Sequence, residues 1–202
     1  GLVLVPVASL AGAAALSAYQ DTRLLAEPEH RGAVTVTWSP YQKVEYAVTA
    51  DGWRRIYVNG IGHQNMWPIE VLKQANRGVP YARPYRLRAR RPQLPPYRRV
   101  LVLGAGSGND VAAALLSGAE HVDAVEIDPA IASIGRQHHP ARPYDDPRVS
   151  LTVDDGRAFL TRARGPYDLI VFALTDSLVK VSPMAQLRLE NYLFTEEAIA
   201  RA

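Results

Sequence analysis

Four short stretches hold residues whose type and spacing could do chemistry. The first is Gly104-Ala105-Gly106-Ser107-Gly108, where three residues without a Cβ let the backbone pass close to a ligand. A glycine turn that opens a helix also points backbone N–H groups outward. The second is Glu126, 22 residues after Gly104. At the end of the next strand its carboxylate can accept both hydroxyls of a ribose, so the two features together indicate a nucleoside. The third is Asp155-Gly156 in "VDDGRAFL", a carboxylate placed to accept an adenine amino group if it lies at a strand end. Asp154 and Asp155 suit equally well a turn or a cap for a helix beginning near Arg157. The fourth is "YDLIVFALTDS", 167–177, an apolar strand that runs into a polar turn. Such turns often hold a reacting acid, and Asp176 is the candidate here, with a capping or turn role as its alternative.

The dinucleotide reading of this nucleoside loses support. That fingerprint wants glycine or alanine at its sixth place, which is Asn109 here. A ribose acid followed by an adenine acid suits S-adenosyl compounds instead.

These residues need elements to position them. "RRVLVLGAGSGNDVAAALLSGAEHVDAVEID" predicts a strand, the glycine turn, a helix from Asn109 to Ser117 ended by Gly118, and a strand from Val122 to Ile127. "RVSLTVDDGRAFLTRA" repeats strand, turn and helix, and "YDLIVFAL" adds a further apolar strand. Strands alternating with helices predict an α/β fold with a parallel sheet covered on both faces, a Rossmann sheet of methyltransferase type. "YLFTEEAIARA" starts a helix with Thr195 as N-cap and Glu196 and Glu197 in its first turn. No later strand follows, and the last strands of the sheet are expected to be missing. Ahead of this sheet, Ala33 to Asn59 alternates apolar and polar residues around an Asp51-Gly52 turn, which predicts a small antiparallel hairpin domain. Between Arg83 and Arg99 seven arginines mingle with Pro84, Pro92, Pro95 and Pro96, so a stiff connector without a regular helix or central strand is expected.

Composition bounds the rest. With 202 residues, 48% of them hydrophobic, the chain can bury a core. The absence of cysteine excludes disulfides, thiolate metal sites and a Cys nucleophile. A formal charge of +3 is too slight to argue for nucleic acid. The five histidines form no ligand spacing, His138 and His139 being adjacent and pointing apart, so no metal is expected. Residues 1–20 carry no charge and approach the length a helix needs to cross a bilayer, although Pro6 and Ser9 dilute them. The end of a transmembrane helix, a packing helix and a remnant of processing all remain open. The expected organisation is 1–30 apolar helix, 31–80 β domain, 81–99 basic connector and 100–202 S-adenosyl-binding domain.

In this order "SPYQKVEY", "VLVLGAGSGND", "VEID", "DDGRAFL", "YDLIVFALTDS" and "LFTEEA" resemble the polyamine aminopropyltransferases, spermidine and spermine synthases, and especially their bacterial relatives attached to membrane helices. Val102 stands where ordinary methyltransferases usually carry an acid, which favours the synthase branch. The resemblance implies a β-hairpin domain packed on the Rossmann sheet, decarboxylated S-adenosylmethionine as donor, a small amine as acceptor, and often a homodimer. It implies that Gln42 and Glu126 hold the sugar, that Asp155-Gly156 holds adenine, and that the Gly104, Gly106, Ser107 and Gly108 turn shapes the cofactor site. It also implies a cytoplasmic domain, of an integral membrane protein if the first segment spans a bilayer.

Three positions depart from the pattern. Ser107 replaces an acid in the glycine turn, which leaves intact S-adenosylmethionine open as the donor. The Tyr-His-Glu segment of the amine pocket has no clear match in "NMWPIEVLKQANRGVPYARPY". Ala173 stands where the first Asp of the catalytic Asp-x-x-Asp is expected, and Asp176 remains. A methyltransferase with another acceptor, and a nucleoside-binding domain without turnover, are the alternatives.

Overall fold

The computed structural model describes residues 15–16, 34–73, 80–163, 165–173 and 195–201. The alternating segment forms β1 (Val34–Trp38), β2 (Lys43–Val48), β3 (Arg54–Val58) and β4 (Ile61–Met66), an antiparallel sheet in the order β1-β2-β3-β4. Gly52, at φ +85°, turns β2 into β3. Asn59 and Gly60 both take positive φ, the geometry of a two-residue type I′ hairpin, and turn β3 into β4. The sheet therefore runs past Asn59, where the sequence pattern stopped. "IGHQNM" shows no clear alternation, and its pairing with β3 shifts register between Ile56 and Tyr57.

Short helices follow: α1 (Ile69–Lys73), a 3-10 turn (Pro80–Ala82) and α2 (Arg83–Ala89). The connector expected to lack regular structure thus holds a helix. Pro84 lies in its first turn, where an N–H would have no helical partner and a fixed φ suits the helix. Arg99, expected within the connector, opens a central strand.

The second sheet consists of β5 (Arg99–Leu103), β6 (His121–Glu126), β7 (Val149–Val153) and β8 (Leu169–Phe172), all parallel in the order β7-β6-β5-β8. Between them lie α3 (Asn109–Leu116), α4 (Pro129–His138) and α5 (Gly156–Arg162), and α6 (Glu196–Arg201) comes last. Alternate residues of β5 serve opposite faces. Val100 and Val102 pack with Val111 and Ala114 of α3, and Leu101 and Leu103 with Leu160 of α5. That double burial explains the unbroken apolar run.

Helix α4 joins the two sheets. Its Ala130 and Ile131 pack with Val44, Tyr46, Ile56, Val58 and Met66 of the hairpin sheet, and Tyr46 stacks on His138 with ring centroids 4.3 Å apart. Thr195 caps α6 as expected, its Oγ1 accepting from the Ala198 N–H at 3.2 Å. Of the apolar first segment only Ala15 and Leu16 lie within the described residues. Among the described residues no helix is long and apolar enough to cross a membrane.

Candidate nucleoside site

The parallel strands end at one edge of the sheet, which brings Gly104, Glu126, Asp154 and Ala173 into a row. The Asp154 N–H donates to Glu126 O at 3.1 Å and the Ala173 N–H to Leu103 O at 3.0 Å. Chain direction across the sheet reverses beside β5, where open α/β sheets form a ligand crevice.

Gly104, Gly106 and Gly108 take φ of +76°, +57° and +110°, values that glycine adopts without strain. Every N–H of the turn is used within the protein. Those of Gly104 and Ala105 donate to Val125 O, and that of Gly108 to Ala105 O. The Gly106 N–H donates to Glu126 Oε2 at 2.7 Å and the Ser107 N–H to Gln64 Oε1 at 2.8 Å. A Cβ on Gly106 would meet the Gln64 amide at 2.7 Å, one on Gly108 would meet Pro143 Cγ at 2.6 Å, and one on Gly135 of α4 would meet Ser107 O at 2.6 Å. Tyr144 Oη closes the turn from below by donating to Gly106 O at 2.7 Å. The glycines therefore make room for other parts of the protein, and the turn has no N–H cradle left for a phosphate.

Glu126 is buried at the C-terminal end of β6. Its Oε1 accepts from the Asp128 N–H at 2.9 Å. Burial pushes its carboxyl above the ordinary range, and the N–H groups of Asp128 and Gly106 offset part of that. Each carboxylate oxygen keeps accepting capacity beyond these single bonds. Asp128, also buried, caps α4 through Oδ1 (2.9 Å to Ala130 N), while Oδ2 accepts from Ser39 Oγ at 2.7 Å and Gln42 Nε2 at 3.1 Å. Through Asp128 the hairpin sheet brings Gln42 to the end of β6.

Asp155 follows β7. Its Oδ1 caps α5 by accepting from the Ala158 N–H at 2.8 Å, so the capping role anticipated for it is realised, and Gly156 opens the helix. Ser107 is fully buried, and its hydroxyl has no hydrogen-bond partner among the described residues. Ala173 is buried at the end of β8 and packs into the core. Asp176 lies outside the described residues.

Asn109, the residue that spoils the dinucleotide pattern, is a junction. Its Oδ1 accepts from the Trp67 N–H (3.0 Å) and its Nδ2 donates to Asn65 O (2.7 Å) and Tyr81 Oη (3.3 Å). Its Oδ1 also meets His139 Nε2 at 3.0 Å. His139 Nδ1 accepts from the Ala141 N–H, so Nε2 carries the proton that Asn109 receives. Burial, with Arg54 adding to it, lowers the His139 pKa to about 4 and keeps the ring neutral. In the next position, burial raises the Asp110 carboxyl to about 7.

Sequence reasoning missed Gln64, Asp128, Asn109 and Gly135. Asn59-Gly60 is a strong hairpin signal that would have placed β4 and Gln64, and Asp128-Pro129 is the signature of a capped helix with proline in its first turn. Gly135 gives no local signal, because the contact that requires it comes from the turn 28 residues earlier.

A parallel sheet with a glycine turn and an acid ending the second strand defines an α/β protein of Rossmann type. The "Spermine/spermidine synthase domain" profile matches residues 92–199, more than half of the chain, which therefore belongs to that family. A polyamine aminopropyltransferase of Pectobacterium carotovorum is 36% identical over 85 residues, 40% of this chain and 30% of that protein. One from Clostridium perfringens is 40% identical over 85 residues, with 41% and 30% covered. Spermidine synthase 2 of Arabidopsis thaliana is 38% identical over 85 residues, with 40% and 25% covered. The matches thus span about a third or less of these relatives. Among solved structures, spermidine synthase from Thermotoga maritima superposes with a TM-score of 0.55 at 21% identity, covering 82% of this chain and 52% of that one. A spermidine synthase bound to the transition-state analogue AdoDATO gives 0.57 at 21% identity, covering 82% and 53%. These two likenesses establish the shared fold.

Proposed function

We propose that this chain carries the donor site of an aminopropyltransferase, binding decarboxylated S-adenosylmethionine and serving a small amine acceptor. The observation that carries the reading is the complete internal use of the glycine-turn N–H groups around a buried Glu126. Such a site suits a ribose and offers nothing to a pyrophosphate, which fits an S-adenosyl compound and not a dinucleotide. In this reading Glu126 and Gln42 hold the sugar, the Gly104, Gly106 and Gly108 turn places the Gly106 N–H on Glu126, and Asp155-Gly156 meets adenine with the oxygen not spent on the cap.

In the transfer, the amine nitrogen forms a bond to the methylene carbon next to sulfur, the carbon–sulfur bond breaks, and methylthioadenosine leaves with the electron pair. The ammonium product must then lose a proton. A primary amine with a pKa near 10.4 is reactive only when neutral, which at pH 7 costs roughly 4 to 5 kcal/mol. A positioned base is worth about 10² to 10⁴ in rate. Ala173 cannot supply one, and Asp176 is the remaining candidate. Neutral Ser107 favours one other reading, in which intact S-adenosylmethionine gives up its methyl group, because no acid in the turn opposes the donor's carboxylate. Attachment to a membrane through residues 1–20, and a homodimer, belong to the same proposal.

The test incubates the full-length protein with each donor and a panel of amines, follows methylthioadenosine and S-adenosylhomocysteine by mass spectrometry, and measures binding of both donors calorimetrically. Methylthioadenosine together with an aminopropylated amine is expected. S-adenosylhomocysteine would move the assignment to methyl transfer, and binding without either product would leave a nucleoside-binding domain. If neither donor binds, the nucleoside reading is wrong.

A further inference from the structure

Residues 71–109 contain no Asp or Glu, while eight arginines lie between positions 77 and 99. Helix α2 sorts part of this charge to one side. Tyr85 packs into the core and lies edge-to-face with Tyr97 at 6.2 Å, so that face is used. Leu87, two residues on and about 200° around the helix, is 51% exposed. Arg83 and Arg90 lie one turn before and after it, with Arg91 next, and all three are exposed. No ion pair among the described residues involves them, whereas Arg98 pairs with Glu120 and Arg99 with Asp123. The turn beyond the helix is tied back by Arg88, whose guanidinium donates to Leu94 O and Pro95 O at 3.2 Å each. Leu94 is also exposed.

We propose that α2 and this turn form a docking surface for an anionic lipid bilayer. Guanidinium groups would meet lipid phosphates while Leu87 and Leu94 enter the acyl boundary. A nucleic acid would use the charge but gain nothing from the two leucines, and Tyr85 and Tyr97, which could stack on bases, are turned into the core. None of Arg83, Leu87, Arg90, Arg91 and Leu94 is among the residues placed at the nucleoside crevice, and the proposal does not depend on the transfer chemistry.

Co-sedimentation of the full chain with vesicles of phosphatidylcholine, alone and mixed with phosphatidylglycerol, tests this at low and high salt. Binding to the mixed vesicles should exceed that to the neutral ones and fall with salt. Arg83→Gln/Arg90→Gln/Arg91→Gln together should weaken it roughly hundredfold, at about fivefold per arginine, and Leu87→Gln alone by about tenfold. Thermal melting checks that the variants fold, and donor calorimetry should give parental values. Equal binding to both vesicle types, or anionic binding untouched by the triple variant and by Leu87→Gln, would overturn the proposal and assign any membrane contact to residues 1–20. Arginine-dependent binding to a mixed-sequence RNA without vesicle binding would overturn it too.

Discussion

The surroundings of Glu126 and the two neutral positions, Ser107 and Ala173, differ in how their polar groups are satisfied. At the first, each group answers another: Glu126 holds two backbone N–H groups, Asp128 holds Ser39 and Gln42, and Gln64 holds Ser107 N. At the second, a buried serine hydroxyl lacks a partner and a buried alanine ends β8. A carboxylate near 0% exposure would need such partners, because an unpaired buried charge costs several kcal/mol. The buried acid at the end of β6 is held by its N–H partners, while Ser107 and Ala173 are buried neutral residues.

The largest expected break comes at Gly135. Replacing it with alanine puts a Cβ into the Ser107 backbone, which has no flexible end to move aside. Gly135→Ala should cost about 3 kcal/mol of stability by urea unfolding and abolish donor binding. Unchanged stability would mean that α4 and the turn can separate freely. Glu126→Gln comes next. Its amide cannot accept from both Gly106 N and Asp128 N while accepting two ribose hydroxyls, so donor affinity should fall about 100-fold, roughly 2.7 kcal/mol, by calorimetry.

Ala173→Asp sharpens the contrast from the other end. Aminopropyl transfer should rise by about tenfold, below the full value of a general base because the new carboxylate is poorly supported. A rate equal to or below the parent's would route the proton elsewhere.

The smallest effect is a pH response. His139 has a folded pKa of about 4, below its unfolded value near 6.5, so its contribution to stability is complete above about pH 6.5 and is lost as pH falls toward 4. Asp110, raised to about 7, acts oppositely, favouring the folded state at low pH and losing that contribution as pH rises through 7; buried Glu126 acts in the same sense. Because two raised acids oppose one lowered histidine, urea midpoints should fall as pH rises from about 4.5 to about 6.5. Asp110→Asn should flatten that fall by up to about 1.4 kcal/mol per pH unit, and His139→Gln should steepen it by a similar amount. An identical profile in Asp110→Asn would show that Asp110 titrates normally.

Legibility in the sequence followed the range of the interaction. Strands β5, β6, β7 and β8, the α3 helix stopped by Gly118 and the Thr195 cap depend on period, propensity and neighbours within four residues, and they could be read directly. The connector was misread because four prolines outweighed the fact that Pro84 occupies the one helical turn that tolerates it. The candidate residues Gln42 and Glu126 could be named in advance, but their partners could not, whereas the local cap of Asp155 could. Asp128 meets Gln42 across 86 positions and Gln64 meets Ser107 across 43.

By itself the sequence determined a parallel α/β sheet, a turn that only glycine can make, and an acid at the end of the second strand, since each is a short-range consequence of backbone sterics and side-chain period. Tertiary structure alone decided that the turn's N–H groups are consumed internally, that Asn109 joins β4, the 3-10 turn and the end of α4, and that Ala173 ends its strand buried. Those outcomes depend on which distant groups are brought within hydrogen-bonding distance of one another, and linear spacing does not encode that.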